Sequence, residues 1–193
     1  MSADYKQLTD FTDKIEKLNN EQRDKFLEDC CKELAARLLA KVIKRTPVGS
    51  KPKLEGPKTV KVQGASGKSK TFLTAEAARI QQHWGDYHGG TLRRGWTGGQ
   101  NAKAVDYANS LDITKLGGKY SIAITNPVEY ASYVEYGHRQ NVGRYVPALG
   151  KSLKQGWVQG KFMLTISEGE LNNVSDAILR KKLNKLMKEV FDL

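Results

Sequence analysis

The sequence has few of the residues that catalysis, metal binding or disulfide bonding requires. It contains 2 cysteines and 3 histidines in 193 residues. Cys30 and Cys31 are neighbours in a helical pattern, where side chains about 100° apart pair only with strain, so we expect two free thiols. His83 and His88 flank Asp86, but this spacing is off-face in a helix and no third ligand supports it, which favours surface histidines.

The common catalytic motifs are absent as well. We find no complete Gly-x4-Gly-Lys-Ser/Thr phosphate loop, no Gly-x-Ser-x-Gly nucleophile elbow and no Cys-x-x-Cys pair. Glu135 and His138 could act as acid and base, but a helix-end carboxylate paired with Arg94 or Arg139 explains Glu135 at least as well. We therefore predict no enzymatic activity, no catalytic residues, no cofactor and no metal.

Long apolar runs are also missing. No run approaches the roughly 20 residues needed to cross a bilayer, so we expect no membrane contact. The polar, amphipathic N-terminus lacks the basic-then-apolar order of a signal peptide, and we expect a protein made and used in a cytoplasm.

Acidic residues are scarce in one region only. The formal net charge is +11, and residues 46–104 hold 10 Lys and Arg against 3 Asp and Glu, a net of +7. Such a local excess indicates contact with something acidic, and nucleic acid, an acidic protein ring and plain solubility all remain open.

Helical periodicity predicts a long N-terminal helix from Asn20 that Thr46-Pro47 stops, after a weaker helix over residues 4–18. Alternating apolar residues over 105–113 and 120–124, with a turn at Gly117-Gly118, predict a central β-hairpin with one buried face. Residues 162–166 predict a last strand, and Ser167-x-x-Glu170 is a capping box that opens a C-terminal helix.

Residues 126–139 predict a short helix after this hairpin. Asn126 is its predicted N-cap, Pro127 takes the first helical position, and Glu129 lies at N3. Tyr130, Tyr133 and Val134 would form its buried face, and Gly137 would end it in the left-handed conformation. Because so short a helix is unstable alone, we expect it to lie on a sheet.

Between these elements lies a predicted basic, mobile insertion at about residues 49–88. Glycines and prolines interrupt any regular structure, although a β-hairpin is possible around residues 59–62 and Thr74 can cap a short helix to Trp84. Its lysines are Lys51, Lys53, Lys58, Lys61, Lys68 and Lys70.

Four blocks of sequence carry a resemblance. They are Arg45-Thr46-Pro47-Val48, Gly90-Thr91-Leu92-Arg93-Arg94-x-Trp96, Tyr130-Ala131-x-Tyr133-Val134-Glu135-x-Gly137-His138, and Gly160-Lys161-Phe162-Met163-Leu164. In this order they resemble the neck proteins of long-tailed phages, a family variously called head–tail connector, tail-completion or minor tail proteins. The resemblance makes the long loop after Pro47 an insertion, because the first two blocks usually lie closer together.

The resemblance implies a virion structural protein that forms a ring at the head–tail interface, completing the tail or joining it to the DNA-filled head. Its implied partners are further copies of itself in a six-fold ring, portal or head-completion connectors, and tail tube or terminator proteins. Genomic DNA would pass through the lumen without specific binding. The implied location is the neck or tail of the virion, assembled in the host cytoplasm.

The expected architecture is α+β, a single domain over residues 1–193. Long N- and C-terminal helices pack on a small antiparallel β-sheet, and a short helix follows the central hairpin. The candidate interface residues are the six lysines above with Arg93, Arg94, Glu135, His138 and Arg139. The candidate structural residues are Pro47, Leu92, Trp96, Tyr130, Tyr133, Gly137 and Phe162.

Two readings of Arg93-Arg94 with Trp96 remain open. They form either a basic and aromatic nucleic-acid contact or a strand edge with Trp96 in the core and the arginines solvated or paired between subunits. The alternative function is accordingly a cytoplasmic nucleic-acid-binding protein that uses residues 46–104.

Overall fold

The computed structural model describes residues 20–191, and these confirm the predicted α+β class. The helices within this range are α1 (Asn20–Arg45), α2 (Ala75–Trp84), α3 (Thr91–Gly95), α4 (Ala104–Ser110), α5 (Ala131–Tyr136) and α6 (Met163–Phe191). The strands are β1 (Thr59–Gln63), β2 (Ser69–Leu73), β3 (Thr114–Leu116), β4 (Lys119–Ser121), β5 (Gly137–Arg139), β6 (Tyr145–Val146), β7 (Lys151–Ser152) and β8 (Trp157–Gln159). The predicted helix over residues 4–18 lies outside the described range.

The strands pair as four separate two-stranded antiparallel ladders, in the orders β1–β2, β3–β4, β5–β8 and β6–β7. The chain divides into two compact units. Unit 1 contains α1, residues 100–125 and α6 from residue 164, and unit 2 contains residues 46–99 and 126–163. The description of the chain as a single domain stays a prediction.

The long N-terminal helix α1 is confirmed from Asn20 to Arg45. Leu39 and Val42 are fully buried, as expected for one apolar stripe of a helix that packs on others. Near its C-terminal end, Lys41 and Arg45 form ion pairs of 2.7 and 2.6 Å with Glu170 of α6. Cys30 and Cys31 are both free, and burial raises the pKa of each thiol.

The C-terminal helix begins earlier than predicted. Residues 162–166 do not form a strand, because α6 starts at Met163 and continues to Phe191. Met163, Ser167 and Leu171 are all buried and recur every four residues, which is the spacing of one helix face. Ser167 is therefore inside the helix and not its cap, and its hydroxyl accepts a hydrogen bond from Arg45.

The segment predicted as the first strand of the central hairpin is partly helical. Residues 104–110 form α4, and its buried residue is the small Ala108. The hairpin itself is confirmed in a shorter form, with β3 and β4 joined at Gly117-Gly118. Its predicted buried face is wrong, because β3 is exposed throughout and only Tyr120 of β4 is half-buried. The Tyr120 hydroxyl donates to Asp24 of α1 at 2.6 Å, and this bond lowers the pKa of Asp24.

The basic insertion contains the predicted hairpin and helix. Strands β1 and β2 pair from Thr59–Leu73 to Gln63–Ser69. The Thr74 hydroxyl accepts from the Ala77 N–H, so the predicted cap of α2 is confirmed. The tripeptide Gly67-Lys68-Ser69 lies at the hairpin turn, between two strands and not before a helix as a phosphate loop requires.

The helix after Asn126 is shorter than predicted and starts later. Asn126 does not cap it, because its Nδ2 donates to the Leu92 carbonyl and its Oδ1 accepts from the Val128 N–H. The chain turns there and again at Val128, whose carbonyl accepts from the Ala131 N–H before α5 begins. Glu129 is consequently outside the helix.

Within residues 20–191, no helix is both long enough and apolar enough to span a membrane.

Candidate subunit interface

The first two sequence blocks meet at Thr46. This residue is 0% exposed, and its carbonyl accepts hydrogen bonds of 3.1 and 2.6 Å from Nε and Nη2 of Arg93. Its hydroxyl accepts from Nε1 of Trp96 at 2.8 Å, and Trp96 is only 4% exposed. Trp96 is therefore in the core, as one of the two interpretations of this block predicted. The arginines lie on the short helix α3 after Gly90, however, and not on a strand edge.

Asn126 joins the second block to the chain before the third. Besides its bond to Leu92, its side chain lies directly against the buried Gly95, where an added Cβ would overlap Oδ1 of Asn126. Such a Cβ would also lie 2.8 Å from Val128. Any larger residue at position 95 would push these two segments apart.

Backbone contacts join the third and fourth blocks. Lys161 and Phe162 donate their N–H groups to the carbonyls of Val134 and Glu135, at 2.8 and 3.0 Å. Phe162 has φ of 48°, the one positive value among the non-glycine residues of the described range. Phe162 thus turns the chain into α6 directly beside the end of α5, and the predicted strand cannot form there.

Gly137 ends α5 with φ of 87°, so its predicted positive φ is confirmed. It also begins β5, which pairs with β8 through Gly137–Gln159, His138–Val158 and Arg139–Trp157. A Cβ at Gly137 would overlap the Val158 carbonyl and lie 2.9 Å from the Gly160 nitrogen. Glycine is therefore needed here both for φ and for space.

Two of the three residues that we predicted for the buried face of α5, Tyr130 and Tyr133, are exposed, and the third, Val134, is half-buried. Tyr130, Tyr133 and Tyr136 are 44%, 58% and 61% exposed, whereas Glu135 is buried. The prediction failed because tyrosine was taken as a core residue, although its ring equally suits a wet contact surface.

These tyrosines belong to a larger exposed surface. Tyr133 and Tyr136 are three residues apart on α5 and are therefore neighbours, and Tyr130 directly precedes this helix. The Tyr133 ring is 5.7 Å from the His138 ring, and the half-exposed Trp157 lies over Gly137, where α5 ends. Val142 is also exposed, and its side chain lies beside Gly156. We call Tyr130, Tyr133, Tyr136, Val142 and Trp157 the aromatic surface.

The lysines of the insertion are all exposed. Their hairpin is exposed on both faces, and the Val60–Phe72 pair and Val62 share one face. Two contacts hold the segment before the hairpin. Lys51 donates a hydrogen bond to the Gly85 carbonyl, and Glu55 forms an ion pair with Lys151 at 3.2 Å. Whether the insertion is mobile stays a prediction.

The remaining candidate residues have varied environments. Pro47 and Arg139 are exposed, Arg94 and Phe162 are half-buried, and Leu92 is buried. His138 is half-buried, and its Nδ1 is buried without a hydrogen-bond partner among the described residues. Arg93 is committed to the Thr46 carbonyl, which leaves it less available to nucleic acid than the sequence indicated.

One protein family matches more than half of the chain. The model of the family described as "Bacteriophage HK97-gp10, putative tail-component" matches residues 9–137. This chain belongs to the HK97-gp10-like family. Neither the curated proteins nor the solved structures gave a match.

Membership confirms the resemblance to phage neck and tail proteins; the first two blocks and all of the third except His138 lie within the matched range. It supports a structural role in the phage particle, as the description of a tail component implies. No group of three or more His, Cys, Asp or Glu side chains suited to a metal ion occurs within residues 20–191.

Sequence reasoning missed Thr46 and Asn126 as the residues that join the blocks, and Trp157 and Tyr136 as surface aromatics. Thr46 was read only as a helix stop, and a threonine or asparagine beside proline has no sequence signal for a bond to a residue 34 to 50 positions away. For Trp157, its place opposite an arginine on a three-residue ladder depends on the fold.

Proposed function

We propose that this chain is a structural, non-catalytic subunit of a ring at the head–tail interface of a long-tailed phage. The observation that carries the proposal is the aromatic surface of unit 2. Soluble monomers rarely expose large contiguous apolar patches, and tyrosine and tryptophan are enriched where proteins meet. In a tail component, contacts between subunits would bury such a surface.

A closed ring needs head-to-tail contacts between two different surfaces of each copy. We assign the aromatic surface, with Arg139 beside Trp157, to one side of this contact. Six-fold symmetry follows from the resemblance to neck proteins, and the partners above and below the ring are the portal or head-completion connectors and the tail tube or terminator proteins. Genomic DNA would pass through the lumen, and the chain would reside in the virion.

The hairpin of the insertion suits a contact with a neighbouring ring. Residues 58–73 contain Lys58, Lys61, Lys68 and Lys70 and no acidic residue. An isolated two-stranded hairpin is marginally stable in water, so a partner surface that covers its apolar face would stabilise it. We propose that this partner surface is acidic, because it must offset the lysine charges.

The aromatic surface is tested by the double substitution Tyr133→Ala and Trp157→Ala. Both side chains are at least half exposed, so the free chain should keep a melting temperature within a few degrees of wild type. Incorporation into particles and infectivity should fall strongly, because aromatic residues dominate binding energy at interfaces. A complementation assay and the composition of purified particles measure this.

The matched control is Leu116→Ala in unit 1, which removes a side chain that is 80% exposed but lies outside the aromatic surface. It should leave particle formation normal. If the double variant and the control both give normal particles, the aromatic surface has no role in assembly.

The hairpin is tested by replacing residues 59–73 with a short Gly-Ser link. Lys58 and Thr74 are already joined by a backbone hydrogen bond of 3.1 Å, so the link should close without strain. We expect folding to be retained, since loop length changes stability by only about 1 kcal/mol or less. Head–tail joining should fail, and normal infective particles would contradict the assignment.

The second candidate is nucleic-acid binding through residues 46–104, which the six exposed lysines favour. The exposed Val60, Val62 and Phe72 favour a protein contact instead, because contacts to a phosphate backbone are made by polar and basic groups and would leave this apolar face uncovered. Loss of duplex DNA affinity in a Lys58→Gln, Lys61→Gln and Lys70→Gln variant would favour this second candidate.

A further inference from the structure

Unit 1 contains an open groove between α1 and α6. Its lining includes five basic side chains and one carboxylate, from Arg37, Lys181, Lys182, Lys185, Lys188 and Glu33. We call these six residues the basic groove. It is separate in sequence from the lysines of the insertion and from the aromatic surface.

The groove arises from the way the two helices run. Ion pairs join the end of α1 to the start of α6, and Lys182 donates to the carbonyl of Asp29 near the start of α1, so the helices are antiparallel. Between Asp176 and Glu189, α6 carries five basic residues and no acidic one. Residues 170–193 as a whole hold 5 Lys and Arg against 4 Asp and Glu, and this nearly balanced total conceals the local cluster.

Part of this charge is neutralised internally. Glu33 pairs with Arg37 at 2.7 Å and with Lys182 at 3.8 Å, and the Arg37 hydrogen bond is the main cause of its lowered pKa. Lys185 lies 3.5 Å from the exposed Glu189. With both carboxylates counted against five cations, the groove and its rim keep a net charge of +3.

We propose that the basic groove binds the phosphate backbone of double-stranded nucleic acid, without reading its sequence. Lysines bind phosphate as point charges, and phosphate contacts carry no base information. This goes beyond the proposed structural role, and it assigns the nucleic-acid contact to unit 1 and not to residues 46–104.

The composition of the groove favours phosphate over an acidic protein. Lysine is depleted from the cores of protein–protein interfaces, where aromatic residues and arginine are enriched. The groove has four lysines, and its one large apolar lining residue is the half-buried Ile178. An acidic protein partner would leave this surface without the apolar anchor that such interfaces use.

The spacing of the lysines also suits a duplex. Lys181, Lys185 and Lys188 are four and three residues apart, so they lie along one side of α6 over about 10 Å of its axis. A duplex presents one charge per roughly 1.7 Å of its axis, or about six phosphates over that length. All three side chains are exposed and can reach these phosphates, and among the described residues only Lys185 has an ion pair, with the exposed Glu189, to exchange.

The test is binding of the full chain to a fluorescent mixed-sequence DNA duplex, measured by anisotropy between about 50 and 200 mM salt. Each lysine–phosphate contact contributes about 0.9 to the slope of log affinity against log salt concentration. The triple variant Lys181→Gln, Lys185→Gln and Lys188→Gln should reduce the magnitude of that slope by about 2 to 3. Lys182 is left intact because it bonds to Asp29.

The matched control is Lys58→Gln, Lys61→Gln and Lys70→Gln in the insertion, which removes the same charge and should leave the slope unchanged. If the triple groove variant does not fold, the single variants at Lys181 and Lys188 should each lower the slope by about 0.9. The proposal is wrong if the wild-type chain does not bind duplex, if only the control variant loses binding, or if labelled polyglutamate binds more tightly than duplex.

Discussion

Thr46→Val tests the junction between the first two sequence blocks. Valine has nearly the shape of threonine, so the substitution removes the hydroxyl that accepts from Trp96 and leaves the Thr46 carbonyl with its bonds from Arg93. Both Thr46 and the indole are buried, so the Trp96 N–H cannot turn to water.

An unsatisfied buried donor lowers the free energy of unfolding by about 1–3 kcal/mol. For a chain of this size, the melting temperature should fall by about 2–12 °C. Urea unfolding followed by circular dichroism, with the melting curve as a second readout, measures the loss. Thr46→Ser keeps the acceptor and should remain closer to wild type than Thr46→Val.

A double-mutant cycle isolates the hydrogen bond itself. In a Trp96→Phe background the indole donor is gone, so Thr46→Val should cost less there than in the wild-type chain. A loss under about 0.5 kcal/mol in the wild-type background, or an equal loss in both backgrounds, would refute the reasoning. The blocks would then be joined mainly by the Arg93 bonds.

Three further predictions concern single residues. Gly137→Ala should destabilise by about 2–5 kcal/mol and Gly143→Ala by only about 1–2, because both have positive φ but only the first new methyl meets backbone; equal melting temperatures would contradict this. Lys41 and Arg45 hold the pKa of Glu170 below its ordinary value, so these ion pairs stabilise the fold above that value and the stabilisation is lost as pH falls through the lower folded pKa. Glu170→Gln should therefore flatten the fall of melting temperature at acid pH, and an unchanged pH profile would count against the pairing. Tyr130→Ala should lower stability by only about 1 kcal/mol, since the ring is 44% exposed; a loss near 3 kcal/mol in urea unfolding would restore the buried reading.

The elements that the sequence predicts well are those whose signals are local. The long helix α1 has an unbroken apolar stripe and a proline stop, and α2 begins at a threonine that bonds to the residue three positions on. The turn at Gly117-Gly118 needs positive φ, which both glycines adopt. In each case the deciding interaction lies within a few residues.

The elements that were mispredicted depend on distant contacts or on small core residues. Ser167 is polar and Ala108 is small, yet both occupy buried helix positions, so the sequence did not show the helical period of α6 and α4. Asn126 has the ideal chemistry of an N-cap, but its amide bonds to Leu92 instead. A rule based on neighbouring residues cannot reveal that the Asn126 side chain bonds to a residue 34 positions away and not to the helix N-terminus.

The aromatic surface was not predicted as an interface. Tyr130 and Tyr133 were predicted as buried structural residues, because the sequence alone could not tell whether the rings face the core or the solvent. The basic groove needed the antiparallel pairing of α1 and α6, because Arg37 and Lys181 are far apart in sequence.

The central claim is that this chain forms a ring at the head–tail junction. The most direct measurement is its position and copy number in purified particles, from antibody labelling in electron microscopy together with quantitative mass spectrometry. The account predicts label at the junction between head and tail and about six copies in each particle, the number of subunits in one ring of the proposed symmetry. Label elsewhere on the particle, absence of the chain from mature particles, or only two copies in each would contradict it.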